Sequence, residues 1–211
     1  MANSRIGSYG NYYGSFFNES EPLTQAEMQV NASYIYSYLY DHGWTIESVS
    51  AMLGNMQAES SLNPGRWQSD SVYWESGGYG LVQWTPSTKY IDWCSSMGFN
   101  DCSEMDSNLS RIIFEVANKI QWYATDSYNF SFEEFSKSTS SVEYLARAFL
   151  LNYERPADQS ESVQEYRGQL AISWYEHLSG VDVPDKPLTN TSKKQNFNWV
   201  IFTGRKRRNG F

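Results

Sequence analysis

Cysteine and histidine are both scarce, with two of each in 211 residues. Two cysteines cannot build a disulfide framework. His42 and His177 are too far apart to suggest a histidine metal centre or the paired-histidine helix of a zinc peptidase, so neither a metal nor a cofactor is expected. No run approaches eighteen consecutive apolar residues, and no membrane-spanning segment is expected. The opening MANSRIGSYGNYYGSFF holds no apolar core of a secretory signal, and none is expected either. Charged residues are only 19% of the chain, too few for a highly charged disordered protein. Aromatics are abundant instead, at 17%, with sixteen Tyr, eleven Phe and eight Trp. The length fits one domain, two at most.

The net charge of −8 is unevenly spread. Residues 1–180 carry nine basic and twenty-two acidic side chains, whereas residues 181–211 carry seven basic and two acidic. The acidic body argues against nucleic acid as a partner, because phosphate binding needs clustered Lys and Arg. The composition break near Gly180 predicts three parts. These are an extended Gly-, Ser- and Tyr-rich arm over 1–22, a folded domain over 23–180, and a linker with a basic docking tail over 181–211. The tail opens on Val183-Pro184-Asp185-Lys186-Pro187 and ends near Arg205-Lys206-Arg207-Arg208.

Within the body, Thr24-x-x-Glu27 reads as a capping box that opens a helix running to Asp41, with Gly43 as its stop. A second helix starts near Thr45 and ends around Ser60. Its Val49, Met52, Leu53 and Met56 recur at the spacing of one buried face, and Asn63-Pro64-Gly65 breaks it. Between Arg66 and Trp84 the period changes, and short strands around a Gly77-Gly78 turn are expected. Further helices are marked by Leu109 to Ile120, by Val142 to Tyr153 (capped by Ser140-x-x-Glu143) and by Ser162 to Leu178, with Gly180 past the end. The expected fold class is α+β, mainly α, with a small β-hairpin region after the second helix.

Glu59 is the most informative residue for chemistry. It follows Met56 by three positions, on the apolar face, in the last turn of its helix. Apolar surroundings and the negative end of the helix dipole both favour a protonated carboxyl, which a general acid needs. On helix position alone a solvated helix-end glutamate is the readier reading, since most glutamates are solvated. Its company is more telling, because Trp67, Trp74, Tyr79 and Trp84 fall inside one eighteen-residue stretch downstream of it. Aromatic faces stack on sugar rings, and amides such as Gln83 read hydroxyls. An acid beside an aromatic cleft suggests glycoside chemistry, although plain core packing is the better reading for most of the eight tryptophans.

The order Met52-Leu53-Gly54-Asn55-Met56-Gln57-Ala58-Glu59-Ser60, then Asn63-Pro64-Gly65, then Gly80-Leu81-Val82-Gln83-Trp84-Thr85-Pro86 resembles the phage tail lysozyme family. The likeness is nearest to the lysozyme-like domain of tail-tip wall-degrading proteins in phi29-like podoviruses. It continues through Arg111 to Val116 and Phe149 to Ala157, and covers about residues 23–180. The glutamate–serine helix end with the later Gln and Asn-Tyr elements is also similar to goose-type lysozymes and lytic transglycosylases.

The resemblance implies a lysozyme-like fold and a virion-associated enzyme that cuts the β-1,4 glycan of bacterial peptidoglycan during host entry. It would be placed at the tail tip with other phage tail proteins as neighbours, after assembly in the host cytoplasm. Glu59 would protonate the glycosidic oxygen. Gln83 would lie in the cleft floor and Tyr153 would orient the sugar, with Trp67, Tyr79 and Trp84 as substrate contacts. Asp70 and Glu75 are the candidates for a second catalytic carboxylate. A lytic transglycosylase and a tail component that only binds glycan are the alternatives. Cys94 and His177 could in principle form a cysteine amidase pair, but Cys94 follows an apolar run and reads as a buried thiol. Cys94 and Cys102 could be bridged, although a protein assembled in bacterial cytosol more often keeps them reduced.

Overall fold

A computed structural model describes residues 2–180; the expected linker and docking tail lie outside the described residues. The helices come where the apolar period puts them. α1 spans Gln25–Asp41 and opens on the complete Thr24–Glu27 capping box. α2 spans Ile46–Ser60 behind the Thr45 cap. α3 is Thr88–Ser96, α4 Met105–Asn118 and α5 Phe132–Ser136. α6 is Val142–Phe149, followed without a break by a π-helical turn over Leu150–Glu154. α7 spans Glu161–Ser179. The cap of α6 is Ser141, whose hydroxyl accepts from Tyr144 N, and not the expected Ser140. α4 ends at left-handed Lys119, so Ile120 falls beyond it.

The mainly-α α+β, lysozyme-like architecture holds, with one small antiparallel hairpin. That hairpin is N-terminal. β1, Asn3–Gly7, pairs with β2, Gly10–Gly14, with Asn3 opposite Gly14 and Gly7 opposite Gly10. The segment after α2, where strands were expected, carries only two isolated bridges, Trp67 to Tyr79 and Tyr79 to Trp84, and a 3-10 turn at Gln68–Asp70.

The expected extended arm is thus corrected, because residues 3–14 fold and bury. Tyr12 is fully buried and its hydroxyl bonds Glu104. Arg5 donates to Ser103 Oγ at 2.8 Å and to the Ser103 carbonyl at 3.1 Å. Two buried asparagines hold the strand end. Asn31 of α1 accepts from Tyr13 N at 2.7 Å and donates to its carbonyl at 2.8 Å. Asn63 accepts from Ser15 N at 3.0 Å. Buried backbone groups must find partners, and an arm so rich in Gly and Ser finds them in these amides. Sequence periodicity carries no trace of such pairing.

The loop from α3 to α4 brings Cys94 and Cys102 to a Cα separation of 5.9 Å, and they are bridged. The expectation of reduced thiols is therefore corrected, since the short loop returns the chain within disulfide reach. Bridging also removes Cys94 as a nucleophile.

α2 and α7 cross at Gly54. A Cβ there would stand 2.6 Å from Ala171 N and 2.7 Å from the Arg167 carbonyl. This close approach is what lets Arg167 reach the end of α2. Alanine is the better helix former by about 1 kcal/mol, but the contact makes Gly54→Ala destabilising, by about 1–3 kcal/mol. Thermal melts read the sign directly; a raised Tm would contradict the packing described.

Candidate active site

The end of α2 opens onto a cleft of about 660 Å³. Glu59 stands at its edge, with its side chain 22% exposed and an oxygen 2.7 Å from Arg167 of α7. The same guanidinium donates to the Asn55 carbonyl at 2.6 Å. Arg167 thereby fixes the glutamate relative to its own helix. Ser60 bonds the Leu81 carbonyl at 2.8 Å and ties the helix end to the loop that forms another part of the cleft.

That loop carries Gln83 and Trp84, which both line the cleft. Gln83 adopts φ of +50°. Its amide nitrogen donates to the Arg66 carbonyl at 3.0 Å and to the Gly80 carbonyl at 2.9 Å, while its amide oxygen is buried without a partner. Trp67 also lines the cleft, although it is almost fully buried. Tyr79 and Tyr153 do not line it and lie in the core. The aromatic excess of this segment mainly packs upon itself. Trp67 meets Tyr79 at 4.4 Å between centroids, and Trp84 stacks on Tyr90 at 4.5 Å.

Asp70 and Glu75, the sequence candidates for a second carboxylate, are exposed and outside the cleft lining. Asp70 pairs with Arg66 at 2.9 Å. Glu75 sits where its backbone carbonyl accepts from Ser87. The cleft instead holds Glu154, at the end of the π-helical turn. Its Oε1 is sealed from solvent and lacks a hydrogen-bond partner. Burial pushes the Glu154 carboxyl well above the usual range, and the charge of Glu59 pushes it further; Arg167 and Arg155 counteract. Sequence reasoning passed over Glu154 although it stands in the quoted Asn152-Tyr153-Glu154-Arg155 run. The widened turn that turns it into the cleft leaves no mark in the apolar period. Arg167, too, was missed, because an arginine in an amphipathic helix normally signals a solvated face.

Beneath the cleft lies a buried carboxylate, Glu115 of α4. Its Oε1 accepts from Arg111 at 2.8 Å and from the Trp84 indole at 3.0 Å, and its Oε2 accepts from the Tyr153 hydroxyl at 2.5 Å. Burial raises its pKa, opposed by the Arg111 charge and by the three donors. Tyr153 therefore anchors the turn that bears Glu154 and is spoken for by a protein carboxylate. Among the described residues no group of three or more metal-binding side chains occurs, and no helix is long and apolar enough to cross a membrane.

Comparison with known proteins bears on this geometry. The family profile described as phage tail lysozyme matches residues 30–178. The chain is 46% identical over 165 residues to morphogenesis protein 1 of Bacillus phage B103. That match covers 78% of this chain and 44% of the relative, so the chain spans less than half of that protein's length.

Removing Glu115 strands an indole, a phenol and a guanidinium in the interior. Glu115→Ala is expected to cost about 3–5 kcal/mol, the range for breaking a buried pair from one side. Urea denaturation measures it. A loss below about 1 kcal/mol would mean that the three donors find other partners and that the carboxylate is not their organiser.

Proposed function

The chain belongs to the phage tail lysozyme family, and from that premise we propose that it cleaves the β-1,4 glycan of bacterial peptidoglycan, between N-acetylmuramic acid and N-acetylglucosamine. It would act as a tail component that opens the wall for genome entry, held by neighbouring tail proteins after assembly in the host cytoplasm. The observation that carries this reading is Glu59, a carboxylate held by Arg167 at the edge of a cleft large enough for several sugar atoms' depth of substrate.

Glu59 is the general acid. Glu154 lines the same cleft, and the charge of Glu59 disfavours a second charge on it, while Arg167 acts in the opposite sense. Burial and the neighbouring Glu59 charge both favour the protonated form of the Glu154 carboxyl, which gives the cleft a second acidic group beside Glu59. Glu59, in its protonated form, gives its own proton to the glycosidic oxygen as the C–O bond breaks; its carboxylate then faces the oxocarbenium-like carbon and takes a proton back from the attacking water. Water completes the hydrolysis. Glu154 works through Glu59 and is a positioning residue. Gln83 stiffens the cleft floor, and Trp67 and Trp84 offer ring edges to the sugars.

Asp70 and Glu75 do not line the cleft, and this favours a second reading, a lytic transglycosylase. There Glu59 acts as acid and then as base, and the sugar's own hydroxyl attacks in place of water. Mass spectrometry of the released fragments separates the two, since reducing ends accompany hydrolysis and anhydro ends accompany transglycosylation.

Glu59→Gln preserves shape and removes the proton. Clearing of peptidoglycan in a gel is expected to fall by about 10²–10⁴-fold. Undiminished clearing would overturn the assignment of Glu59 and leave a component that binds glycan without cutting it.

A further inference from the structure

Residues 2–180 hold nine Lys and Arg against twenty-two Asp and Glu. With carboxylates in more than twofold excess, a cation in this domain should find one. Six do so: Arg5, Arg66, Arg111, Lys137, Arg147 and Arg167. Among the described residues Lys89, Lys119 and Arg155 make no ion pair, and two of these three line the cleft.

Lys89 stands exposed in the first turn of α3, where the helix dipole offers a cation no support. Arg155 directly follows the π-helical turn with φ of +50°. Its Nη1 donates to the carbonyls of Gln121 and Asn152, both at 2.7 Å, and its guanidinium carbon lies 4.3 Å from the centroid of the exposed Tyr123 ring. These contacts aim the group without an ion pair, although its charge acts on the neighbouring Glu154 carboxyl. Both line the cleft.

A domain with thirteen more acids than bases repels an anionic polymer, and an anionic ligand needs local cations to enter. We propose that Lys89 and Arg155 form a carboxylate-binding subsite of the cleft, selecting aminosugar chains that carry carboxylates over neutral β-1,4 aminosugar chains. The subsite rests on the reading of the cleft as a glycan site. The carboxylate has two sources in wall glycan, the lactyl ether of muramic acid and the stem peptide, and both would be read by the same charge chemistry.

The test compares four soluble substrates: glycan strands freed of peptide, strands with stem peptides, peptide-free strands whose carboxyls are converted to methylamides, and chitooligosaccharides. Cleavage (kcat/KM) and equilibrium binding by tryptophan fluorescence are measured for the parent, Lys89→Gln, Arg155→Gln and the double variant. Binding and cleavage of carboxylate strands are expected to exceed those of the methylamide strands roughly five- to tenfold. The gap closes in the double variant and shrinks at 1 M salt, where exposed charges are screened. Arg155→Lys keeps the charge and retains part of the gap, which a purely structural role of Arg155 would not produce. A larger gap for peptide-bearing strands assigns the stem peptide as the source, and an equal gap assigns the lactyl group.

Equal handling of carboxylate and methylamide strands by the parent, or an undiminished gap in the double variant, overturns the subsite even if every strand is cut. Binding selectivity without cleavage upholds the subsite and overturns the hydrolase reading. Absence of both binding and cleavage overturns the two together.

Discussion

The cleft depends on one buried carboxylate. Glu115 accepts from a side chain of its own helix α4, from the Trp84 loop and from the turn after α6. A buried charge is tolerated only where its lone pairs are satisfied, so the three segments are constrained to meet at it. Gln83 is carried in by Trp84, and Glu154 by Tyr153. Glu59 arrives separately, on α2, and is fixed by Arg167 through the close crossing at Gly54. Two independent constraints thus converge on one cleft. The first is electrostatic satisfaction of Glu115, and the second is the steric intimacy of α2 and α7.

The same economy governs charge elsewhere. The scarce cations are placed singly, most against carboxylates that fix a loop or a helix end. Arg5 clamps the N-terminal hairpin to the loop between the bridged cysteines. Arg111 supports Glu115, and Arg167 supports Glu59. Against this pattern Lys89 and Arg155 stand out, since among the described residues neither makes an ion pair and both line the cleft.

Much of this was legible in the sequence. The helix at Gln25 announces itself by its capping box, the one at Ile46 by a 3.6-residue apolar period and the last one by the Gly180 stop, and Glu59 by its place at a helix end before a glycine-rich, aromatic segment. The N-terminal hairpin was not legible, because it is held by asparagine side chains from distant elements and not by its own alternation. The segment after α2 looked like strands because aromatics dominate it, but those rings pack on one another around two isolated bridges. The second carboxyl was sought near Glu59 in sequence, at Asp70 and Glu75. It came from the far end of α6, through a π-helical turn that periodicity does not encode. Tyr153 matched a helical stripe and a family element at once, and its hydroxyl is claimed by Glu115.

The central claim is that Glu59 and Glu154 are electrostatically coupled in one cleft, the charge of Glu59 adding to burial in favouring a protonated Glu154. Carboxyl carbon NMR titration of the folded domain, with and without Glu59→Gln, tests it most directly. Glu154 should titrate well above the ordinary carboxylate range in the parent, because burial and the Glu59 charge both disfavour its ionised form. In the variant that neighbouring charge is gone, and the Glu154 transition should move down while staying above the ordinary range, held there by burial. A Glu154 that titrates near its ordinary value in the parent, or that does not move in the variant, would contradict the account.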